Sequence, residues 1–198
     1  MSLTVKKKGD DFQQVSPGTH PAICNAVIDL GYQDGPYGIK HQAILRFELP
    51  TELIDRGDEK GKPMVMSAFY NASLNEKATL RRDLEGWRGR AFTPEEEAAF
   101  DLKNVLGAAC TLGVFHNENG KARIKSISPA MKGQNYQLAN KPIWFDLDHH
   151  DENSSEFQSV PEWIQKIIGE RVKDDSPGDA YEQAGPDVGD GFDDDIPF

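Results

Sequence analysis

The last six residues combine chemical groups that another protein could bind. Three carboxylates precede an apolar tip whose final ring lies beside the free α-carboxylate. Its proline fixes its own φ and favours an extended preceding residue, which lowers the entropy lost on binding. We expect this segment to fit an apolar pocket rimmed by Arg or Lys; the alternative is a solvated acidic tail. The segment comprises Asp193, Asp194, Asp195, Ile196, Pro197 and Phe198.

Aromatic and cationic residues recur in the body of the chain. Proteins that bind single strands without sequence preference use cations for the backbone and flat side chains for the bases. The candidates for such contacts are Tyr32, Tyr37, Lys40, Arg46, Phe69, Tyr70, Lys121, Arg123 and Lys125. Taken singly, Phe47, Phe69 and Phe115 are each expected to be core aromatics, whereas Tyr32 and Tyr37, in a segment rich in Gly and Pro, are the better stacking candidates. Arg81 and Arg82 either assist or form the solvated face of a helix.

Evidence for catalysis or metal binding is weak. His149, His150 and Asp151 follow Asp146 and Asp148, but the stretch is polar and lacks ligand spacing on a regular element, so we interpret it as a solvated loop. We find no phosphate loop, nucleophile elbow or dinucleotide fingerprint. The sequence therefore predicts no enzyme, no catalytic residue, no metal and no cofactor. The two cysteines, Cys24 and Cys110, lie in apolar runs and are expected to be buried free thiols.

The formal charge of −11 is distributed unevenly. Residues 174–198 hold nine of the 33 acidic residues and no Lys or Arg, which leaves 24 acidic residues against 22 basic ones in residues 1–173. The body is therefore nearly neutral, and its acidic total does not argue against a nucleic-acid partner. We expect residues 1–16, with Lys6, Lys7 and Lys8, to form a flexible basic arm that either touches phosphates or is simply solvated.

Composition and hydropathy place the chain among soluble proteins. Hydrophobic residues make up 37% of the chain and charged residues 28%. No apolar run approaches the ~18 residues that cross a bilayer, and no apolar stretch follows the N-terminal lysines. We therefore expect a cytoplasmic protein without a membrane partner.

Apolar periodicity predicts the elements that position the candidate residues. Strands are expected over residues 19–30, 41–49 and 64–71, with a loop or hairpin connection over residues 31–38 and a polar connection over residues 50–63. An amphipathic helix follows from Ser73 to Gly86 or Gly89, and a second helical segment begins at Thr93. Asn119-Gly120 marks a hairpin whose returning strand presents Lys121, Arg123 and Lys125 on one side, with Ala122, Ile124 and Ser126 on the other. A short strand over residues 142–147 and a helix over residues 160–168 complete the body.

Five strands with a helix between the third and the fourth are typical of an OB fold, a five-stranded Greek-key barrel. We expect such a barrel with helical additions over residues 17–173, and a disordered acidic tail over residues 174–198. In an OB barrel the candidate cations and rings are expected to lie close together. Fold alone does not establish function.

The Asp-Asp-Asp-Ile-Pro-Phe end and the acidic segment before it resemble the C-terminus of bacterial single-stranded-DNA-binding proteins. The overall layout resembles phage-encoded members that join an OB body to a host-like tip. The resemblance implies a protein that coats single-stranded DNA during replication, recombination and repair, and recruits enzymes through its tip. Here the folded part is longer, with an extra helix near Trp163, and the linker is shorter, so tetramer formation does not carry over and a homo-oligomer is only one option.

Two other functions fit the same residues. The chain could capture host replication enzymes through its tip without binding DNA, or it could be a recombination accessory that binds a recombinase through its barrel. If the body does bind DNA, the tail carboxylates are expected to compete with phosphates for the same bases, so that DNA frees the tip.

Overall fold

The computed structural model describes residues 13–133 and 135–173, which form a mainly β fold with added helices, as predicted. The N-terminal lysines and the acidic C-terminal segment lie outside the described residues. The strands are β1 (Gly18–Gly35), β2 (Gly38–Leu53), β3 (Pro63–Asn71), β4 (Ala109–His116), β5 (Ala122–Pro129) and β6 (Ile143–Phe145). The helices are α1 (Thr79–Arg88), α2 (Pro94–Ala98), α3 (Ser155–Ser159) and α4 (Glu162–Gly169), with a 3-10 turn over Leu102–Val105.

One sheet contains all six strands. Its order is β3-β2-β1-β4-β5, and every pairing along this path is antiparallel. The short β6 pairs in parallel with the middle of β1, from Ala26 to Ile28, just beyond Ile23, where the pairing with β4 stops. Within the described residues no pairing joins β3 to β5, so the sheet is open between these strands.

Two β-bulges shape the long central strand β1. Asn25 is the extra residue between Cys24 and Ala26, and Leu30 is the extra residue before Gly31. Bulges bend a strand and increase its twist, and here the first one coincides with the change of partner from β4 to β6.

Of the two predicted connections between β1 and β2, a loop or a hairpin, the structure has the hairpin, and its turn is shorter than the expected span of residues 31–38. Strand pairing continues to Gly35 opposite Gly38, so the turn consists of Pro36 and Tyr37 alone. Gly31 has a φ of 71°, and a Cβ there would lie 2.9 Å from Leu147. Any other residue at this bulge would therefore have a strained backbone and would clash with Leu147. In the sequence, Gly31 is typical of a loop. The predicted strand therefore ends at Leu30, whereas β1 continues to Gly35.

The inner side of the sheet holds the main core. Leu45, Phe47 and Leu49 of β2 alternate towards it, and the ring of Phe47 meets Trp87 of α1 edge to face with centroids 5.6 Å apart. Both cysteines are buried here as free thiols, as predicted. Burial raises the pKa of Cys24 to about 12 and also raises the pKa of Cys110, so neither is a reactive thiolate.

The outer side of β1 and β2 carries a second core. Ile28 and Ile44, which are directly paired, pack with Phe145 of β6 and with Ile164 and Ile168 of α4. All five are fully buried. This part of the sheet is therefore covered on both faces, and the segment over residues 143–173, which we call the C-terminal extension, belongs to the fold.

Helix α1 crosses β5 at close range. A Cβ on Gly86 would lie 2.8 Å from the backbone oxygen of Ile127, so a residue without a side chain is required at the crossing. Gly89, with a φ of 68°, ends the helix in the left-handed conformation. The helix begins at Thr79 rather than at the predicted Ser73. The helical segment predicted at Thr93 is confirmed, with a capping box between Thr93 and Glu96.

Candidate nucleic-acid interface

The β4–β5 hairpin is built by its turn residues. The side chain of Asn117 accepts hydrogen bonds from the backbone N–H groups of Asn119 (3.1 Å) and Lys121 (2.9 Å), and Gly120 has a φ of 74°. The turn therefore satisfies its own backbone groups, and the predicted hairpin is confirmed.

A bulge at Lys125 changes which side each residue of β5 faces. Ile124 pairs with Val114 and Ile127 pairs with Leu112, so both face the core, while Ser126 pairs with Gly113 on the outside. The simple alternation predicted from sequence put Ser126 on the core side and is wrong at this point. It failed because a bulge inserts one residue and reverses the alternation after it.

The outer face of β4 and β5 combines a ring, cations and hydroxyl groups. Phe115 is 42% exposed and lies directly opposite Arg123, so the two side chains share one face. Lys125 and Ser126 are exposed on the same strand, and Lys121 immediately precedes it. Neither strand contains an acidic residue. We call this surface, comprising Phe115, Lys121, Arg123, Lys125 and Ser126, the basic strip.

The N-terminal segment is attached beside the basic strip. Val15 is buried in the main core, and its backbone oxygen lies 2.8 Å from Nε2 of His116. The side chain of Gln14 accepts a hydrogen bond from the backbone N–H of Ala122, at 2.9 Å. The described chain therefore begins next to the first residues of β5, and Lys8 precedes Gln13 by five residues, a span of at most about 18 Å.

The β1–β2 hairpin holds another group of candidates. Tyr37 is at the turn and is 59% exposed, and Lys40 is half-buried. Tyr32 lies directly opposite His41, with ring centroids 5.0 Å apart and planes at 24°. His41 Nε2 lies 2.7 Å from Oδ1 of Asp29. The sequence did not single out His41, because only the strand register shows that its ring meets Tyr32.

Arg46 lies on the outer face of β2 with its guanidinium largely enclosed. Its Nε is buried and has no hydrogen-bond partner among the described residues. Burial lowers the pKa of Arg46, because it disfavours the charged form, and no carboxylate among the described residues pairs with the guanidinium. The neighbouring Glu48 is fully buried and accepts hydrogen bonds from the backbone of Ala139 and from the backbone and side chain of Asn140 (2.7 to 3.1 Å). Glu48 thus fixes the linker from β5 to β6 beside Arg46.

The two candidates on β3 are in different surroundings. Phe69 faces outwards, but its ring packs against Trp163 of α4 with centroids 6.2 Å apart. Tyr70 faces the main core, is 4% exposed, and donates a hydrogen bond from its hydroxyl to Asp83 at 3.1 Å. Burial and the Asp83 carboxylate raise the pKa of Tyr70. Neither ring offers an open face comparable with that of Phe115.

The two arginines of α1 are also engaged. Arg81 pairs with Glu85 at 3.1 Å and also with Glu97, and Arg82 lies 3.0 Å from Asp83. The Arg81 side chain is 16% exposed and lies between these carboxylates, so it is not on the solvated helix face that was one of the two predictions. Arg82 is the more exposed of the two.

The candidate residues do not converge at one point. The β1–β2 hairpin lies at one end of β1 and the basic strip beside the other, because Gly35 pairs with Gly38 whereas Gly18 pairs with Val114. A strand of 18 residues spans about 60 Å of contour. The expectation that all candidates lie close together is therefore wrong, and Arg46 lies between the two groups. Phe115, which the sequence predicted to lie in the core, is instead 42% exposed and was therefore missed as a candidate.

The C-terminal extension makes the surroundings of the β1–β2 hairpin acidic. Residues 143–173 contain seven Asp and Glu residues against three Lys and Arg, whereas residues 116–142 contain one acidic residue against five basic ones.

Within residues 13–133 and 135–173, no group of three or more His, Cys, Asp or Glu side chains is arranged to hold a metal ion. No helix in the same part of the chain has the length and apolar character needed to cross a membrane.

Comparison of the sequence with protein-family models and with curated proteins found no match to either. The functional argument therefore depends on the residues and their geometry.

Proposed function

We propose that the chain binds single-stranded DNA without sequence specificity, along a path that includes the basic strip, and that its acidic C-terminal tip recruits replication or repair proteins. The observation that carries the proposal is the exposed Phe115 directly opposite Arg123 on strands without a carboxylate. On this proposal the protein acts in the cytoplasm of a bacterial host, during replication, recombination or repair of phage or host DNA, and is not an enzyme.

The chemistry of the basic strip suits an unpaired strand. Stacking of a base on an aromatic ring contributes about 1–3 kcal/mol and tolerates any base, because every base has a π face. Arg123 and Lys125 can neutralise phosphates, and the hydroxyl of Ser126 can donate to a phosphate oxygen. In a duplex the bases are stacked on one another, so no base is free to stack on Phe115. This surface therefore favours single strands over duplex DNA.

The strand order supports an OB-type barrel that is open between β3 and β5. In OB barrels oligonucleotides cross the face of strands two and three and the loops beside it. Here α4 occupies part of that face, because Trp163 packs on Phe69. We therefore place the strand on the part left uncovered, from Arg46 towards β4 and β5. The half-buried Arg46 side chain lies on this path, and no carboxylate of the described residues pairs with it, so a phosphate can offset its charge.

The positions of the chain ends fit a division between DNA binding and recruitment. The basic N-terminal arm joins the body beside the basic strip. The acidic residues 174–198 follow Lys173 at the other end of β1, since the backbone N–H of Val172 donates to the backbone oxygen of Tyr32 at 2.8 Å. The segment that recruits partners thus starts away from the segment that binds phosphate.

A fluorescence titration of the full chain with oligo(dT) and with duplex DNA at two salt concentrations tests the proposal. We expect preference for the single strand and weaker binding at higher salt, since released counterions make such binding salt-dependent. Phe115→Ala should weaken oligo(dT) binding by about 5- to 100-fold, the loss of one stacked base. Leu53→Ala is the matched control, because Leu53 is also a large exposed apolar residue but lies at the end of β2.

Two results would overturn the proposal. Absence of oligo(dT) binding at low salt would leave the alternative of a protein that captures host enzymes through its tip without binding DNA. An equal loss of oligo(dT) affinity in Phe115→Ala and Leu53→Ala would show that no base stacks on the basic strip. A pull-down of host replication proteins with and without residues 193–198 tests the recruitment part separately.

A further inference from the structure

Two rings on the β1–β2 hairpin form a stacked pair at the surface. Tyr32 and His41 are cross-strand partners, with centroids 5.0 Å apart and an interplanar angle of 24°. The side chain of His41 is 41% exposed, and Tyr32 is half-buried. Two parallel rings of this kind extend a stack to which a further flat ring can be added.

Asp29 holds the imidazole in this position. Its Oδ1 lies 2.7 Å from His41 Nε2 and accepts a hydrogen bond from the backbone N–H of Gly31 at 2.8 Å. Its Oδ2 accepts from the backbone N–H of Leu147, at 3.4 Å, in the C-terminal extension. The carboxylate is therefore fixed from both the hairpin and the extension, and the ring that it holds cannot rotate freely.

The other ring is fixed through its backbone. The carbonyl oxygen of Tyr32 accepts from Val172, and Arg171 packs against Gly31, where a Cβ would lie 2.7 Å from the arginine side chain. Gln33 donates to the backbone oxygens of Leu30 and Ile167, at 2.7 and 3.2 Å. The hairpin is thus attached to the end of α4, so the backbone that carries both rings is held in place before any ligand arrives.

We propose that Tyr32 and His41 together form a platform on which one nucleobase of a bound single strand stacks, with Asp29 as the positioning residue. This inference rests on the proposed function and extends it to a second contact point, at the opposite end of β1 from Phe115.

The charges around the platform make this contact depend on pH. The hydrogen bond with Asp29 raises the pKa of His41 despite partial burial, and the nearby carboxylates of Asp148 and Asp146 raise it further. Two of the described basic residues are close to the platform: Arg171 packs beside Gly31, and Lys40 precedes His41 in the strand. Below its pKa, the imidazolium offsets one carboxylate in this acidic surrounding. Above it, the carboxylates repel phosphate, so single-strand affinity should fall as the pH rises through the pKa of His41.

Oligo(dT) titrations of the full chain at about pH 6 and about pH 8.5 test the platform. We expect His41→Ala to weaken binding by about 5- to 100-fold at the lower pH, as for one lost stack. His41→Phe keeps a ring but no charge, so it should recover most of that loss and remove the dependence on pH. Asp29→Asn should weaken binding and move the pH midpoint downwards, which a purely structural role of the carboxylate would not do.

The outcomes separate this inference from the proposed function. If the wild-type chain binds oligo(dT) and His41→Phe keeps the full pH dependence, the platform is refuted while single-strand binding stands. If His41→Ala and wild type bind equally at both pH values, the same conclusion follows. If the wild type does not bind oligo(dT) at either pH, the proposed function itself fails. Should His41→Ala not fold, the comparison of His41→Phe with wild type still decides.

Discussion

The two ends of strand β1 have opposite surroundings. At the β1–β2 hairpin, the C-terminal extension packs on the outer face, buries Ile28 and Ile44 completely, and brings an excess of carboxylates. Beside the other end, β4 and β5 have one buried face, and their outer face displays Phe115 and several cations without an acidic residue. One sheet therefore presents an acidic, covered end and a basic, open end.

This difference shows how an added segment can redirect a binding surface. Burying the outer side of β1 and β2 gains the hydrophobic free energy of a second core, but it removes part of that side from any ligand. The rings left for a ligand are then at the margins, on the hairpin turn and on β4. If the comparison is correct, substitutions of side chains buried under the extension should affect mainly stability, and substitutions of exposed residues on β4 and β5 should affect mainly binding.

The largest expected effect is on stability, at the covered end. Ile164→Ala removes a fully buried side chain that packs between α4 and the outer face of the sheet, and should lower the free energy of unfolding by about 2–5 kcal/mol. Urea unfolding followed by tryptophan fluorescence measures it. Ile167→Ala on the same helix is the control and should cost less, because Ile167 is only half-buried. A loss below about 1 kcal/mol for Ile164→Ala would show that the extension is not integral to the fold.

The second effect is on binding, at the open end. The double substitution Arg123→Glu and Lys125→Glu reverses two charges of the basic strip. It should weaken oligo(dT) binding by roughly 10- to 100-fold at low salt and reduce the salt dependence of binding, because phosphate contacts are lost. The control is Lys166→Glu, an exposed lysine on α4 at the covered end. Equal weakening by the control would mean that overall charge, rather than the basic strip, governs binding.

The elements that sequence predicted well are those whose signals are local. The β4–β5 hairpin, the capping box at Thr93 and the apolar face of α4 each depend on residues within a few positions of one another, so their chemistry is visible in the sequence. The mainly β class with added helices was also predicted, because short apolar runs bounded by turn residues mark the strands one by one.

The features that sequence did not predict depend on contacts between distant segments. Gly31 reads as a loop residue until Leu147 and Arg171, more than a hundred positions later, are known to pack against it. The bulge at Lys125 reverses a face without any marker in composition. Phe115 and Tyr70 both read as ordinary strand aromatics, and only the register shows that one faces solvent and the other Asp83.

A smaller effect is expected from the acidic tail, which continues from Lys173 at the covered end. Deleting residues 174–198 removes nine carboxylates and should tighten oligo(dT) binding several-fold at low ionic strength, with little change at high salt. The measurement is a titration of the full and shortened chains at two salt concentrations. A matched variant with the nine acidic residues changed to Asn and Gln separates charge from length. Unchanged affinity for both variants would mean that the tail does not compete with DNA.

The smallest effect concerns the Asp29–His41 contact and its contribution to stability. The pKa of His41 is raised in the folded state, so its contribution is complete below the unfolded value near 6.5 and is lost as the pH rises through the raised value. Burial would raise the pKa of Asp29, but the hydrogen bond and charge of His41 lower it overall, so that contribution is lost only as the pH falls through the lowered value.

The stability difference between wild type and His41→Gln should therefore be largest between these two pKa values and decrease above the raised pKa of His41. Because the imidazole is 41% exposed, we expect the difference to stay below about 1 kcal/mol. Urea unfolding at several pH values measures it, and His149→Gln is the control, since His149 is more exposed and pairs with Asp146 outside the hairpin. A difference that is constant across the pH range would show that His41 supports the hairpin by packing alone, and the charge of the covered end would then play no part in holding the two rings together.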